Sequence, residues 1–231
     1  MVYRLLTFLF VLALSANVYS QNLETDVLYR ILDKAIDTQE GLTEAQINSM
    51  SGSPYANDTF LTGTVYYDGK VAAENVLLRY NASSDQIEIK NPKVSIDRFG
   101  ALLKNPSISA SIFNEKYVFV PAQGDISERY YKVLYSGPDY KLYKKTTVEY
   151  IPSQVARTSY EKNEPAKFEQ AHTYYLVSSN MTFTELGNSK SKILSALSDK
   201  KMEIKSYFKK YKPDTRNDSD LANLILYYDT L

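Results

Sequence analysis

The sequence has no cysteine, no tryptophan and a single histidine, His172. Without cysteine there are no disulfides, no thiolate nucleophile and no cysteine-bound metal, so core burial alone must hold the fold. There is also no cysteine to which a lipid is attached after a leader. Without tryptophan the indole ring is missing as an apolar binding platform. One histidine leaves zinc without its usual set of ligands.

A Ser-His-Asp arrangement would have to use His172, which lies beside Thr173 and Tyr174 at the start of a predicted strand. No Gly-x-Ser-x-Gly elbow accompanies it, and this position points to a hydrogen-bonded strand residue. Phosphate loops and dinucleotide fingerprints are absent as well. Asp214, Asn217, Asp218 and Asp220 form the densest oxygen cluster, but it lacks the glycine and distal glutamate of a helix-loop-helix calcium site. It reads as an interhelical loop with a helix cap, with a calcium site, which needs only oxygen ligands, as the sharper reading. Carboxylate pairs for glycoside hydrolysis are defined by distance in space, and 27 acidic residues offer no pair by spacing. No catalytic, cofactor-binding or metal-ligating residue is assigned, and no cofactor is implied.

Charge of one sign is also lacking. Lys and Arg number 27, as do Asp and Glu, so no overall field steers the chain to nucleic acid. Long apolar runs are confined to the N-terminus. Leu5 to Leu14 is interrupted only by Thr7, follows Arg4, and precedes Val18-Tyr19-Ser20. This is the layout of a secretory leader, residues 1–20, with cleavage before Gln21. About ten residues fall short of the roughly 20 that cross a bilayer as a helix. The expected protein is exported, soluble in the periplasm or outside the cell, not a lipoprotein, and without a transmembrane segment in the mature chain. Removing Arg4 with the leader leaves 26 basic residues against 27 acidic.

Tyrosine is what the chain has in excess, 21 residues. Its apolar ring and polar tip suit half-buried strands, and also surfaces that bind glycans or peptides. Alternation dominates the middle of the sequence. Val65 and Tyr67 oppose Thr64 and Tyr66; Val76, Leu78 and Tyr80 oppose Leu77, Arg79 and Asn81; Ile87 and Ile89 oppose Gln86, Glu88 and Lys90. Each set predicts a strand with one buried and one wetter face. Asp68-Gly69 and Asn81 to Asp85 supply the turns. Further strands are predicted at 94–97, 107–112, 117–120, 130–135, 140–150, 172–177 and 181–185, with a long exposed loop at 153–170.

Helical spacing appears twice. Val27, Leu28, Ile31, Leu32, Ala35 and Ile36 predict a short helix over 25–37, followed by a connector with a helical turn at Glu44 to Ile47. After Gly187, Ile193, Leu194 and Leu197, then Ile204, Tyr207, Phe208 and Tyr211, then Leu221, Leu224, Ile225 and Tyr228 predict two or three amphipathic helices broken by Pro213. The fold class is α+β, mainly β: an antiparallel sandwich or curled sheet of about nine strands, with a short N-terminal helix and C-terminal helices packed on it. The expected divisions are leader 1–20, helix and connector 21–53, β-domain 54–186 and docked helical segment 187–231. Lys190 to Lys212 holds eight lysines against Asp199 and Glu203, a pattern expected of a solvated helix face, with an anionic lipid surface as the sharper reading.

The series GSPYANDTF (52–60), GTVYYDGK (63–70), VLLRYN (76–81) and DQIEIK (85–90), followed by a Lys-rich helix and a Leu-rich one, resembles a set of small uncharacterised exported β-rich proteins of Bacteroidota. The resemblance implies a bacterial envelope setting and a β-rich fold, and it brings no catalytic signature. The expected function is a non-enzymatic binding or structural module of the envelope, with a glycan, a peptide or an envelope component as partner. The alternative is a hydrolase of a cell-surface or environmental polymer using carboxylates.

Overall fold

A computed structural model describes residues 32–33, 44–90, 100–156 and 162–231. The leader, most of the helix expected over 25–37 and the strand expected at 94–97 lie outside the described residues.

The strands form one eleven-stranded sheet rather than a two-sheet sandwich. They are β1 (Leu32–Asp33), β2 (Leu61–Tyr67), β3 (Lys70–Asn81), β4 (Gln86–Lys90), β5 (Gly100–Leu102), β6 (Ile108–Ile112), β7 (Glu115–Val120), β8 (Arg129–Ser136), β9 (Tyr140–Ile151), β10 (Lys167–Ser178) and β11 (Phe183–Leu186). Their order across the sheet is β1-β5-β4-β3-β2-β6-β7-β8-β9-β10-β11, antiparallel throughout. Leu32 and Asp33 sit inside the stretch whose spacing predicts a helix, yet they pair with Leu102 and Ala101 as a sheet edge. Tertiary pairing overrides a weak helical pattern there. The loop expected over 153–170 is also shorter than its polarity suggests, because β10 begins at Lys167 and Gln154 bridges Glu164.

The sheet is strongly curled. β3 and β8 are four strand steps apart, about 19 Å in a flat sheet at roughly 4.8 Å per step. The Tyr80 and Tyr130 rings nevertheless lie 6.3 Å apart, edge to face, and Tyr80 meets Tyr117 of β7 at 5.2 Å. The concave face closes over Val65, Leu78, Tyr80, Ile87, Ile108, Ala110 and Tyr130, all almost fully buried. The alternation read from the sequence is what puts these residues on one face.

The turn between β3 and β4 fastens the curl. Asp85 accepts hydrogen bonds from the Tyr80 hydroxyl (2.9 Å) and the Tyr130 backbone N–H (3.0 Å), and pairs with Lys104 and Arg129. Burial, then the neighbouring Asp85 charge, raises the Tyr80 hydroxyl well above the ordinary tyrosine range. It therefore acts as a fixed donor.

The helices are α1 (Glu44–Asn48), α2 (Lys190–Ala196), α3 (Lys201–Tyr211) and α4 (Asp218–Asp229), with a 3-10 turn at Ser198–Lys200 before α3. The last three dock on one face of the β8–β11 end. Ile193, Leu197, Ile204, Leu221, Leu224 and Ile225 pack against Leu142, Leu176 and Leu186. Helices of this length are marginal alone, so this contact supplies their stability. Within α3 the buried stripe is narrower than the spacing predicts. Ile204 and Phe208 are inside, Tyr207 is half-buried against Tyr227, and Tyr211 is 57% exposed. No helix among the described residues is long and apolar enough to cross a membrane.

Candidate functional site

Three of the four central stretches, 52–60, 76–81 and 85–90, meet at one buried knot. Arg79 of β3 donates from Nε and Nη2 to Glu88 Oε2 on β4, at 2.9 and 2.7 Å. Asn81 donates to the other carboxylate oxygen at 3.0 Å. The guanidinium lies 3.6 Å from the centre of the Tyr55 ring and 4.4 Å from that of Phe60, and Nη1 donates to the Asp58 carbonyl. Arg79 is 3% exposed and Glu88 1%. The face of β3 and β4 expected to be wet is thus buried here, because residues 53–60 lie across it. Planar guanidinium stacking explains why arginine and two aromatic rings are the parts used.

Residues 51–55 form a strap from this knot to β10. Tyr55 bridges Asn81, the Ala82 N–H donates to the Pro54 carbonyl, and Ser51 bridges Lys167 in parallel. Gln170 Nε2 donates to the carbonyls of Tyr55 (2.7 Å) and Ser53 (3.3 Å). Gly52 is required at the crossing. Its φ is +77°, and a Cβ there would stand 2.1 Å from the Phe168 carbonyl oxygen.

Between strap and sheet opens a cleft of about 560 Å³, lined by Gly52, Ser53, Tyr55, Asn57 and Asp58 on one side and Phe168 and Gln170 on the other. Its wall is largely polar. The Asp58 side chain is exposed and makes no hydrogen bond or ion pair among the described residues. At its floor Phe168 packs with Ile47 and Tyr55.

Beyond the cleft the same face of the β9–β10 hairpin carries a polar cluster. Lys144 Nζ contacts both oxygens of Asp218, the first residue of α4, at 3.0 and 3.1 Å. Lys132 pairs with Asp218 and with Glu115, and Tyr174 donates to Asp218 at 2.9 Å. Burial opposes the Asp218 charge, but Lys144, the Tyr174 hydroxyl and Lys132 outweigh it and hold the carboxyl below its ordinary range. The cluster clasps α4 to the sheet.

His172 neighbours this clasp. Its Nδ1 lies 3.2 Å from the Thr146 hydroxyl across the β9–β10 pair. Desolvation, then the Lys144 charge, lowers its pKa. Its partner is a threonine, in keeping with a hydrogen-bonded strand residue.

The oxygen cluster at 214–220 is spent on local geometry. Asn217 caps α4 by accepting from the N–H groups of Ser219 and Asp220, and the Asp220 carboxylate accepts from the Asp214 N–H. No group of three or more metal-ligating side chains occurs among the described residues. The lysines of α3 are exposed along its outer side. Sequence reading missed the cleft because Gln170 lies 112 or more positions from Asn57 and Asp58 and the three carry no motif. The signal available was Gly52 with Pro54, which marks a backbone held in an unusual path.

The chain matches no protein-family model, no curated protein and no solved structure.

Proposed function

We propose that this protein is an exported bacterial envelope module that binds its partner in the cleft between residues 52–58 and β10, without catalysing a reaction. The observation that carries the reading is the cleft itself: a polar recess of about 560 Å³ holding the Asp58 carboxylate, which no described residue engages. Binding sites place a few polar groups on a preformed concave surface, and the Arg79 knot preforms this one. The leader-like N-terminus supports the envelope setting, and so does the resemblance of the central stretches to exported proteins of Bacteroidota.

The hydrolase alternative draws no support from the buried and half-buried carboxylates. Glu88, Asp85 and Asp218 each face a cation and act as structural anions. The test is a screen of purified protein on glycan and peptide arrays, run beside the Asp58→Asn variant. Saturable binding that weakens in the variant is expected. Saturable turnover of a polymer by the parent protein overturns the non-catalytic reading.

A further inference from the structure

Resting on that binding reading, we propose that the ligand is an extended peptide with a basic side chain, taken up as an added strand along the edge of β10 between Lys167 and Tyr174.

Among the described residues the edge is unpaired in the middle and occupied at both ends. At one end the Phe168 N–H donates to the Ser51 carbonyl at 2.8 Å. At the other, Tyr174 to Val177 pair with Leu186 to Phe183 of β11. On the opposite side β9 pairs with all of β10. Backbone groups alternate in direction along a strand, so the outward set is that of Phe168, Gln170, His172, Tyr174 and Leu176. Two members of the set, Gln170 and His172, have N–H and C=O groups with no partner among the described residues. Glu169 to Thr173 span about 17 Å at roughly 3.4 Å per residue, the length of a pentapeptide. Exposed polar strand edges are templates for pairing, and added peptides use their alternate amides to bind.

The cleft supplies the side-chain preference. Gln170 lines it, so a residue of the added strand opposite Gln170 shares that face and projects toward Asn57 and Asp58. Asp58 offers a carboxylate that no side chain of the described residues neutralises, which favours Lys or Arg at that position. The peptide thus fills the interval between the strap and β11 with the same kind of pairing found at each end.

The test uses fluorescence anisotropy with a fluorescein-labelled Val-Thr-Lys-Thr-Val peptide and the purified protein. Two N-methylated peptides, each blocking one of the two alternating amide sets, are compared with it. An added strand faces the edge with one set only, so one methylated peptide loses at least tenfold in affinity and the other binds like the parent. Replacing the peptide lysine by glutamate, or Asp58 by asparagine, weakens binding by about the same factor. His172→Pro removes an outward N–H without touching the β9 ladder, and it abolishes binding while the melting temperature holds. Equal binding of both methylated peptides overturns strand addition, and that comparison needs no protein variant. Binding of chitopentaose or maltopentaose that Asp58→Asn weakens, with no peptide binding, sinks the peptide and leaves the cleft as a glycan site. Absence of binding by peptide and sugars alike sinks the inference together with the binding reading beneath it.

Discussion

Glu88→Gln tests the frame of the cleft most directly. The substitution keeps the shape and the hydrogen-bonding reach of the side chain but removes its charge. The Arg79 guanidinium, 3% exposed, then loses the carboxylate it meets at 2.7 and 2.9 Å. Breaking a buried ion pair from one side costs about 3–5 kcal/mol, because the remaining charge stays desolvated. Arg79→Met makes the mirror-image error, leaving the Glu88 carboxylate with Asn81 and without its cation, at a similar cost. The double variant removes both charges. Its loss falls well below the sum of the two singles, with a coupling of at least about 2 kcal/mol. For a chain of this size 1 kcal/mol moves the melting temperature by about 2–4 °C, so each single variant melts roughly 6–20 °C lower. Urea unfolding followed by tyrosine fluorescence and circular dichroism gives all three values. Hydrogen exchange over residues 51–60 reports whether the strap and the segment covering the knot loosen with it. Singles that cost under about 1 kcal/mol, or a strictly additive double, refute the claim that the ion pair organises this end of the sheet.

Two further outcomes follow from the helical face. Phe208→Asp places a charge among Ile193, Ile204 and Leu224 and destabilises the whole protein by several kcal/mol, although Lys190, whose Nζ lies 5.3 Å from the ring centre, offsets part of the loss. Thermal melts show the drop, and an unchanged melt with lost sedimentation on anionic vesicles revives α3 as a membrane-contacting segment. Asp218 has a folded-state pKa below its unfolded value, so its contribution is complete above the unfolded value and disappears as pH falls through the folded one. Asp218→Asn therefore lowers stability at neutral pH and flattens the stability–pH curve below about pH 4; parallel curves for variant and parent, measured by urea titration, contradict the clasp.

The meander of β2 to β4 was legible because its apolar residues alternate and its turns carry Asp-Gly and an Asn-to-Asp cluster. The C-terminal helices were legible because Ile204, Phe208, Leu221 and Ile225 recur at helical spacing. Arg79, Asn81 and Glu88 were misplaced for a physical reason. Charged residues at alternate positions imply a wet face unless something covers them, and the cover comes from residues 53–60, whose polarity reads as a connector. β1 is two residues long and defined by its partner, so no local pattern announces it. The single curled sheet follows from contacts such as Tyr80 with Tyr130, 50 positions apart, which periodicity does not encode. The cleft is wholly of this long-range kind.

That long-range character orders the assembly of the molecule in time. Nearly every strand pairs with a neighbour close in sequence, so most of the sheet zips through short loops. The strap is different: Gln170 reaches Ser53 and Tyr55 across separations of 117 and 115 residues. Closing so long a loop carries the larger entropic penalty and comes after the local hairpins. During synthesis residues 52–58 emerge early and wait for β10, more than a hundred residues behind them. The recess they form together exists only once the two distant parts of the chain have met.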